Sequence, residues 1–375
     1  MSSTAPFESH PSYVSVAGTV TRASRRGGWA LIAAASLLLA AILLFQILYA
    51  AGVIASGFET WRPVLYAYVL WGIAIGIGQV MIRGQGGLQA LFVLPATLFT
   101  VAMVIFPTVF GIYIAFTNWN LSSFSGRQFS GLDNLRQLLA DPFYWNALGN
   151  MIYYVLAVLV EYAIAFGLAL LLNAEIRARK FFRVSFLLPL MLSPVAVSWM
   201  IGKSIMENRF GPVARLARFL GWEDAAFFSS PWIARLSIEV MDAWVSIPLV
   251  MILLLAGLQT MSREVIEAAK VDGASPWQSF WRITFPLMLP ISITAIVLRI
   301  IFKLKLADIV INVTSGGPGG ATDTVSSFIY REYRDRSNVG YGTMLAEFYL
   351  VIIVIFITVL LAVTARWMRR YQNAR

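Results

Sequence analysis

The sequence predicts an all-α, polytopic membrane protein with about eight transmembrane helices. Three observations carry this. First, 59% of the 375 residues are hydrophobic and only 13% are charged, against about 45–50% and about 25% in soluble domains. Second, mean hydropathy is +0.73, with 12 Trp, 14 Tyr and 25 Phe. Third, eight separate apolar runs reach the ~20 residues that cross hydrocarbon as a helix. One compact soluble domain and a disordered chain are both excluded, since water would have to solvate too much apolar surface.

The runs lie at 29–50, 64–83, 88–117, 148–174, 182–205, 233–258, 284–306 and 341–366. The first is too long for a cleaved signal peptide, and no small-residue cleavage site stands out in a polar setting after it. The third is long enough to tilt or to extend past the bilayer. The connections 118–147 and 307–340 are rich in Gly, Ser, Asn and Asp, as loops are. Trp61, Trp119, Trp145, Trp232 and Trp367 lie near run ends, where an interfacial belt is expected.

Basic residues set the orientation. Arg22, Arg25 and Arg26 precede the first run, and Arg83 follows the second. Arg177, Arg179, Lys180 and Arg183 follow the fourth, and Arg263, Lys270 and Arg282 the sixth. Arg366, Arg369, Arg370 and Arg375 close the chain. These segments are denser in positive charge than the long loops between them, so both termini are expected in the cytoplasm. The formal charge of +10 is thus topogenic, and no nucleic-acid partner is expected. With no cysteine there is no thiol chemistry or Cys-ligated metal. The one histidine, His10, sits in a polar tail. Ser315-Gly316-Gly317-Pro318-Gly319-Gly320 is a turn cluster, not a phosphate loop, which would need Gly-Lys-Ser/Thr after a spacer. No metal-ligand spacing and no catalytic Ser/His/Asp set occurs, so neither a metal site nor a catalytic residue is expected.

One connection is unlike the others. In 259–283, Ser262 is placed to cap a short helix with Glu264 in its first turn. Gly273 stops that helix, and Ser275-Pro276 starts a second. Pro286 and Pro290 mark the start of the seventh run. On the residues alone this is an amphipathic connection lying on the membrane. Its Glu267, Ala268, Ala269, Gly273, Ile283 and Pro286 closely resemble the coupling motif of bacterial ABC importer permeases, with Phe285 where Leu is usual. Asp272-Gly-Ala-Ser-Pro-Trp277 resembles the carbohydrate-uptake, maltose-type branch. Leu91-Phe-Val-Leu-Pro95, Asn146–Asn173, Ser315-Gly-Gly-Pro and Gly340-Tyr-Gly extend the likeness over about 88–370.

The resemblance implies a domain order of tail 1–28, two leading helices 29–87 and a six-helix permease core 88–370, in a bacterial inner membrane. It implies a transport subunit that is not an enzyme and binds no cofactor. ATP would be used by two partner ATPase subunits, docked on Glu267, Ala268, Ala269, Asp272 and Gly273. A second, homologous permease and a periplasmic substrate-binding protein would complete the assembly, with membrane lipid around it.

Ionisable side chains inside spans are functional candidates. Arg299, Phe302, Lys303 and Leu306 follow the i, i+3, i+4, i+7 spacing of one helix face. The resemblance places them at sugar-facing positions, where polar neutral residues are usual. Two cations four residues apart repel unless answered. They imply an anionic substrate group, such as a sulfonate, phosphate or carboxylate on a sugar. The alternative is a neutral sugar with the cations paired to Asp242, Glu239 or Glu161. Lys305 points to another face. The sixth run resembles another sugar-lining segment, anchored by Trp244 and Pro248, which implies contact positions at Asp242, Val245, Ser246 and Leu249; the alternative is a proline kink with Asp242 paired to a neighbouring basic residue. Glu161 is expected to pair between helices, with Lys203 and Arg235 as partners. Rival readings are an ion-coupled secondary transporter, which would leave the coupling motif unexplained, and a non-transporting membrane scaffold.

Overall fold

The computed structural model describes residues 20–50, 53–124, 126–174 and 177–373. His10 and Arg375 lie outside them. The described residues are helical, with isolated bridges at Thr117–Phe129 and Asn120–Asn338 and no strand. The chain forms two compact units, Met1–Phe110 and Gly111–Arg375.

The first unit holds α1 (Arg22–Ala50), α2 (Arg62–Arg83) and most of α3 (Gln85–Ala115). Polar side chains tie these apolar helices at a few points. Ser24 Oγ donates to Met81 O at 2.9 Å, Trp71 Nε1 to Ser36 Oγ at 2.9 Å and Tyr68 OH to Leu98 O at 2.7 Å. α2 and α3 turn over at Gly84 and cross closely, because a Cβ at Gly87 would lie 2.2 Å from Gln79 O.

The second unit runs α4 (Asp133–Ala140), α5 (Pro142–Asn173), α6 (Arg179–Met191), α7 (Pro194–Ile205), α8 (Pro212–Phe219) and α9 (Pro231–Gln259). It continues with α10 (Arg263–Val271), α11 (Pro276–Lys303), α12 (Asp308–Val313), α13 (Val325–Arg334) and α14 (Val339–Asn373). Proline at the first helical position opens α5, α7, α8, α9 and α11, where its missing N–H is harmless. Asp141 adds a cap by accepting from Phe143 N at 2.9 Å.

Among the described residues, seven helices are long and apolar enough to cross a membrane, and the eight predicted runs map onto them with one exception. The fifth run, 182–205, is not a straight helix. α6 and α7 meet at 97°, where Leu192 and Ser193 are extended; Pro194 holds Ser193, the residue before it, out of the helical region. Counted as one broken span, the pair makes eight.

The start of the seventh run also moves. α11 begins at Pro276, eight residues before the predicted 284, and Pro286 lies inside it. A π-helical stretch over Phe280–Thr284 precedes that proline. Its wider turn accommodates a ring that would clash with the carbonyl one α-turn back.

α5, α9 and α11 pack together. An apolar cluster of Ala165, Phe166, Ala169, Met251, Leu254, Leu258, Met288 and Ala295 fills one half of the three-helix contact. Tyr154, Ile238, Met241, Leu306 and Ile309 belong to a second cluster in the other half. Between these halves on all three helices sit charged residues.

Candidate functional site

Glu161 of α5, Glu239 and Asp242 of α9, and Arg299 and Lys303 of α11 form one buried ionic cluster. Lys303 is fully buried, and Glu161 and Arg299 are 2% and 4% exposed. Arg299 Nε donates to Glu161 Oε2 at 2.5 Å and its Nη2 to Glu161 Oε1 at 3.0 Å, a two-point grip that a planar guanidinium favours. Nη2 also donates to Asp242. Lys303 Nζ donates to Asp242 Oδ2 at 2.5 Å, Glu239 Oε2 at 2.7 Å and Glu161 Oε1 at 2.8 Å. Each of its three protons therefore has a carboxylate acceptor.

Sequence periodicity builds this meeting. Glu239 and Asp242 are three apart on α9, and Arg299 and Lys303 are four apart on α11. Each pair stacks along one helix face, and the faces meet with opposite charge. Three carboxylates answer two cations, so the fully ionised cluster carries one surplus negative charge. Glu239 Oε1 is buried without a hydrogen-bond partner. The carboxylate oxygens lie within 4.8 Å of one another, as in a cation site. The cation that fills it is the Lys303 ammonium.

The pairing corrects two expectations. Glu161 binds Arg299 and Lys303, not Lys203 or Arg235, while Arg235 Nε donates to Ala321 O at 2.6 Å. The four positions read as one face of α11 also separate. Arg299, Lys303 and Leu306 are buried, whereas Phe302 is 49% exposed. Phe302 lies 60° behind Arg299 around the helix and Lys303 40° ahead, at 100° per residue. The packed contact takes the leading edge and leaves Phe302 outside it. On α9, Asp242 is buried, while Val245, Ser246 and Leu249 are half-buried beside Pro248.

The glycine-rich turn closes over the same helices. Asn146 and Asn150 of α5 both donate to Gly320 O, at 2.7 and 3.0 Å, and Asn150 also donates to Asp323 O at 2.9 Å. Asp323 is buried, accepts from Ser327 Oγ at 3.0 Å and pairs with Arg331. Burial pushes its carboxyl above the ordinary aspartate range, against the opposing pull of Arg331. Gly316 has φ +85°, and a Cβ there would lie 2.3 Å from Asp323 Oδ1, so only glycine fits. These clamps were not legible beforehand. The Asn-Xaa3-Asn spacing at 146 and 150 was a signal for one polar helix face.

α10 carries the predicted coupling residues. Glu267 and Ala268 are exposed and Ala269 is buried. Gly273 has φ +77° and ends the helix. Its N–H bonds Lys270 O at 3.1 Å, while Ala274 N bonds Ala269 O at 2.9 Å, the paired bonds of a Schellman stop. Ser275 and Gln278 then form a capping box that opens α11. At the other end Ser262 makes no side-chain cap, contrary to expectation. Val265 and Val271, 42% and 86% exposed, and Trp277 at 71% leave this turn with an open apolar surface next to Glu267.

Residues 162–375 match the family model of the binding-protein-dependent transport system inner membrane component. The chain belongs to that family. This permease is 31% identical over 288 residues to the sulfoquinovosyl glycerol transport system permease protein SmoG of Agrobacterium fabrum, covering 76% of this chain and 91% of the relative. It is 30% identical over 280 residues to the trehalose/maltose transport system permease protein MalF of Thermococcus litoralis, covering 74% and 94%. Its fold matches a chain of a bacterial ABC transporter involved in the import of the acidic polysaccharide alginate. There the TM-score is 0.65 at 22% identity, over 75% of this chain and 96% of that one. The protein is thus an inner-membrane permease component of a sugar ABC importer.

Proposed function

We propose that this permease moves a carbohydrate into the cytoplasm by alternating access, and that its buried ionic cluster locks α5, α9 and α11 together in one state of that cycle. The observation that carries the second part is the saturation of both cations. Lys303 gives all three protons to protein carboxylates, and Arg299 grips two of them. An anionic sugar would have to displace a carboxylate from a cluster that already holds surplus negative charge. Neutral hydroxyls would meet the half-buried Val245, Ser246 and Leu249 and the exposed Phe302 without that conflict.

The second reading keeps an anionic substrate that reaches Arg299 and Lys303 when the helices part. What favours it is the relative named for sulfoquinovosyl glycerol, together with the fold match to an alginate importer.

In this proposal the exposed Glu267 and Ala268, with the apolar surface of Val271 and Trp277, dock on a partner ATPase. Two such ATPases hydrolyse ATP, and a second permease and a periplasmic binding protein complete the machine. Both termini and α10 face the cytoplasm. The tail 1–28 and helices within 29–87 precede a transport core of 88–370.

The test is ATPase stimulation and uptake by the whole reconstituted complex, with neutral and sulfonated or carboxylated sugars in parallel. Arg299→Gln and Lys303→Gln accompany wild type. The lock reading expects neutral sugars to drive transport and the variants to change coupled rates while leaving sugar preference unchanged. Stimulation by anionic sugars alone, lost in variants that still assemble, would establish the second reading instead.

A further inference from the structure

The groove between α2 and α3 lies wholly within the first unit and far from the ionic cluster in sequence. It encloses a cavity of about 280 Å³ lined by Ile75, Gln79, Arg83, Ala90, Val93 and Leu94, among others. On α2, Ile75, Gln79 and Arg83 recur every four residues, so they line one stripe. Arg83 ends the helix. Gln79 lies about 6 Å and Ile75 about 12 Å further along the axis at 1.5 Å per residue. The groove thus grades from a cation through a carboxamide to a hydrocarbon wall.

Its polar groups are unanswered within the described residues. Gln79 Oε1 is buried without a hydrogen-bond partner. Arg83 is exposed and makes no ion pair there. Glu59 is the only acid among residues 20–110, and it lies before the opposite end of α2. An unpaired guanidinium at a helix end, above a half-buried carboxamide and an apolar slot, has the polarity order of a glycerophospholipid.

We propose that this groove binds one anionic glycerophospholipid. The phosphate sits at Arg83, an ester carbonyl accepts from the Gln79 carboxamide, and an acyl chain lies against Ile75, Val93 and Leu94. A half-turn of the Gln79 amide exchanges oxygen for nitrogen and presents the donor that an ester requires. Spacing supports the order, since ester groups lie a few ångströms inside the phosphates of a bilayer. The proposal rests on the reading that α2 crosses the membrane. It is independent of the transported sugar.

The test is native mass spectrometry of the full permease complex in mild detergent. The complex is titrated separately with dioleoyl phosphatidylglycerol, dioleoyl phosphatidylcholine and sn-glycerol 3-phosphate. Phosphatidylglycerol is expected to be retained preferentially. Arg83→Gln is expected to weaken its retention about fivefold, the worth of one basic residue near an anionic lipid. Ala90→Phe, which fills the slot without changing charge, is expected to remove the same adduct, and Arg62→Gln at the other end of α2 to keep it. Equal retention of both lipids, an unchanged Arg83→Gln, or equal binding of the chainless phosphate would overturn the proposal. So would loss of the sister permease from Ala90→Phe, because protein would then be the occupant.

Discussion

Replacing Lys303 with Met removes the ammonium that three carboxylates share. Its three hydrogen bonds, at 2.5, 2.7 and 2.8 Å, vanish together. Arg299 alone then faces Glu161 and Asp242, and Glu239 is left without a cation. Charge-assisted hydrogen bonds contribute about 1.5–3 kcal/mol each. Their simple sum overshoots, because stranded carboxylates take up protons. Breaking a buried ion pair from one side costs about 3–5 kcal/mol, which is the loss expected here. For a chain of 375 residues, at about 2.1 cal/mol/K of unfolding entropy per residue, that corresponds to a fall of about 4–6 °C in melting temperature.

Glu239→Gln is the informative companion. Lys303 is the one cation that Glu239 binds in the cluster, it lies against the Glu161 carboxylate, and its replacement removes the surplus charge. Its expected change is within about 1 kcal/mol, because the remaining two carboxylates and two cations balance. The double variant should recover about 1–3 kcal/mol of the Lys303→Met loss, since the two residues share one network. Purified complexes in one detergent, melted under tryptophan fluorescence, give the ranking. A Lys303→Met complex melting within about 2 °C of wild type would refute the reasoning. So would a Glu239→Gln complex that falls equally far.

Three further expectations concern the two turns. Gly316→Ala forces φ +85° on a residue with a Cβ and drives that Cβ against Asp323. It should cost about 2–3 kcal/mol, seen as a lower melting temperature with faster proteolysis of 307–340. Gly273→Ala has open space around its Cβ but φ +77°. It should cost only about 1 kcal/mol and blunt ATPase stimulation more than stability, compared by melting and turnover on the same samples. Burial holds the Asp323 carboxyl above its ordinary range. The folded state then binds the proton more tightly, so the contribution is full below the unfolded aspartate pKa and fades as pH rises through the folded value. Asp323→Asn should flatten that part of the melting-temperature profile across mildly acidic pH, and an unchanged slope would assign it elsewhere.

The sequence by itself determined the class of this protein. Hydropathy and helix length are local sums over about 20 residues, so the spans needed no knowledge of their neighbours. Short-range chemistry was equally legible. Ser275-Pro276 and Gly273 act through bonds that reach only five residues, and they fold as read. The motif around Glu267 pointed to the family through its resemblance to the importer coupling motif. The bend between α6 and α7 was not read from the sequence, which took 182–205 as one run; the structure turns it by 97° at Pro194.

Only the tertiary structure decided what the charges do. The sequence placed Glu161, Glu239, Asp242, Arg299 and Lys303 in three spans and left open whether the cations faced a substrate or an acid. That choice depends on which faces of α5, α9 and α11 meet, which is set by apolar packing on either side of the cluster. Phe302 and Lys303 stand 100° apart around one helix, and the packing exposes the first and buries the second. The partner of Glu161, 138 residues away on Arg299, follows from that packing and from no local pattern.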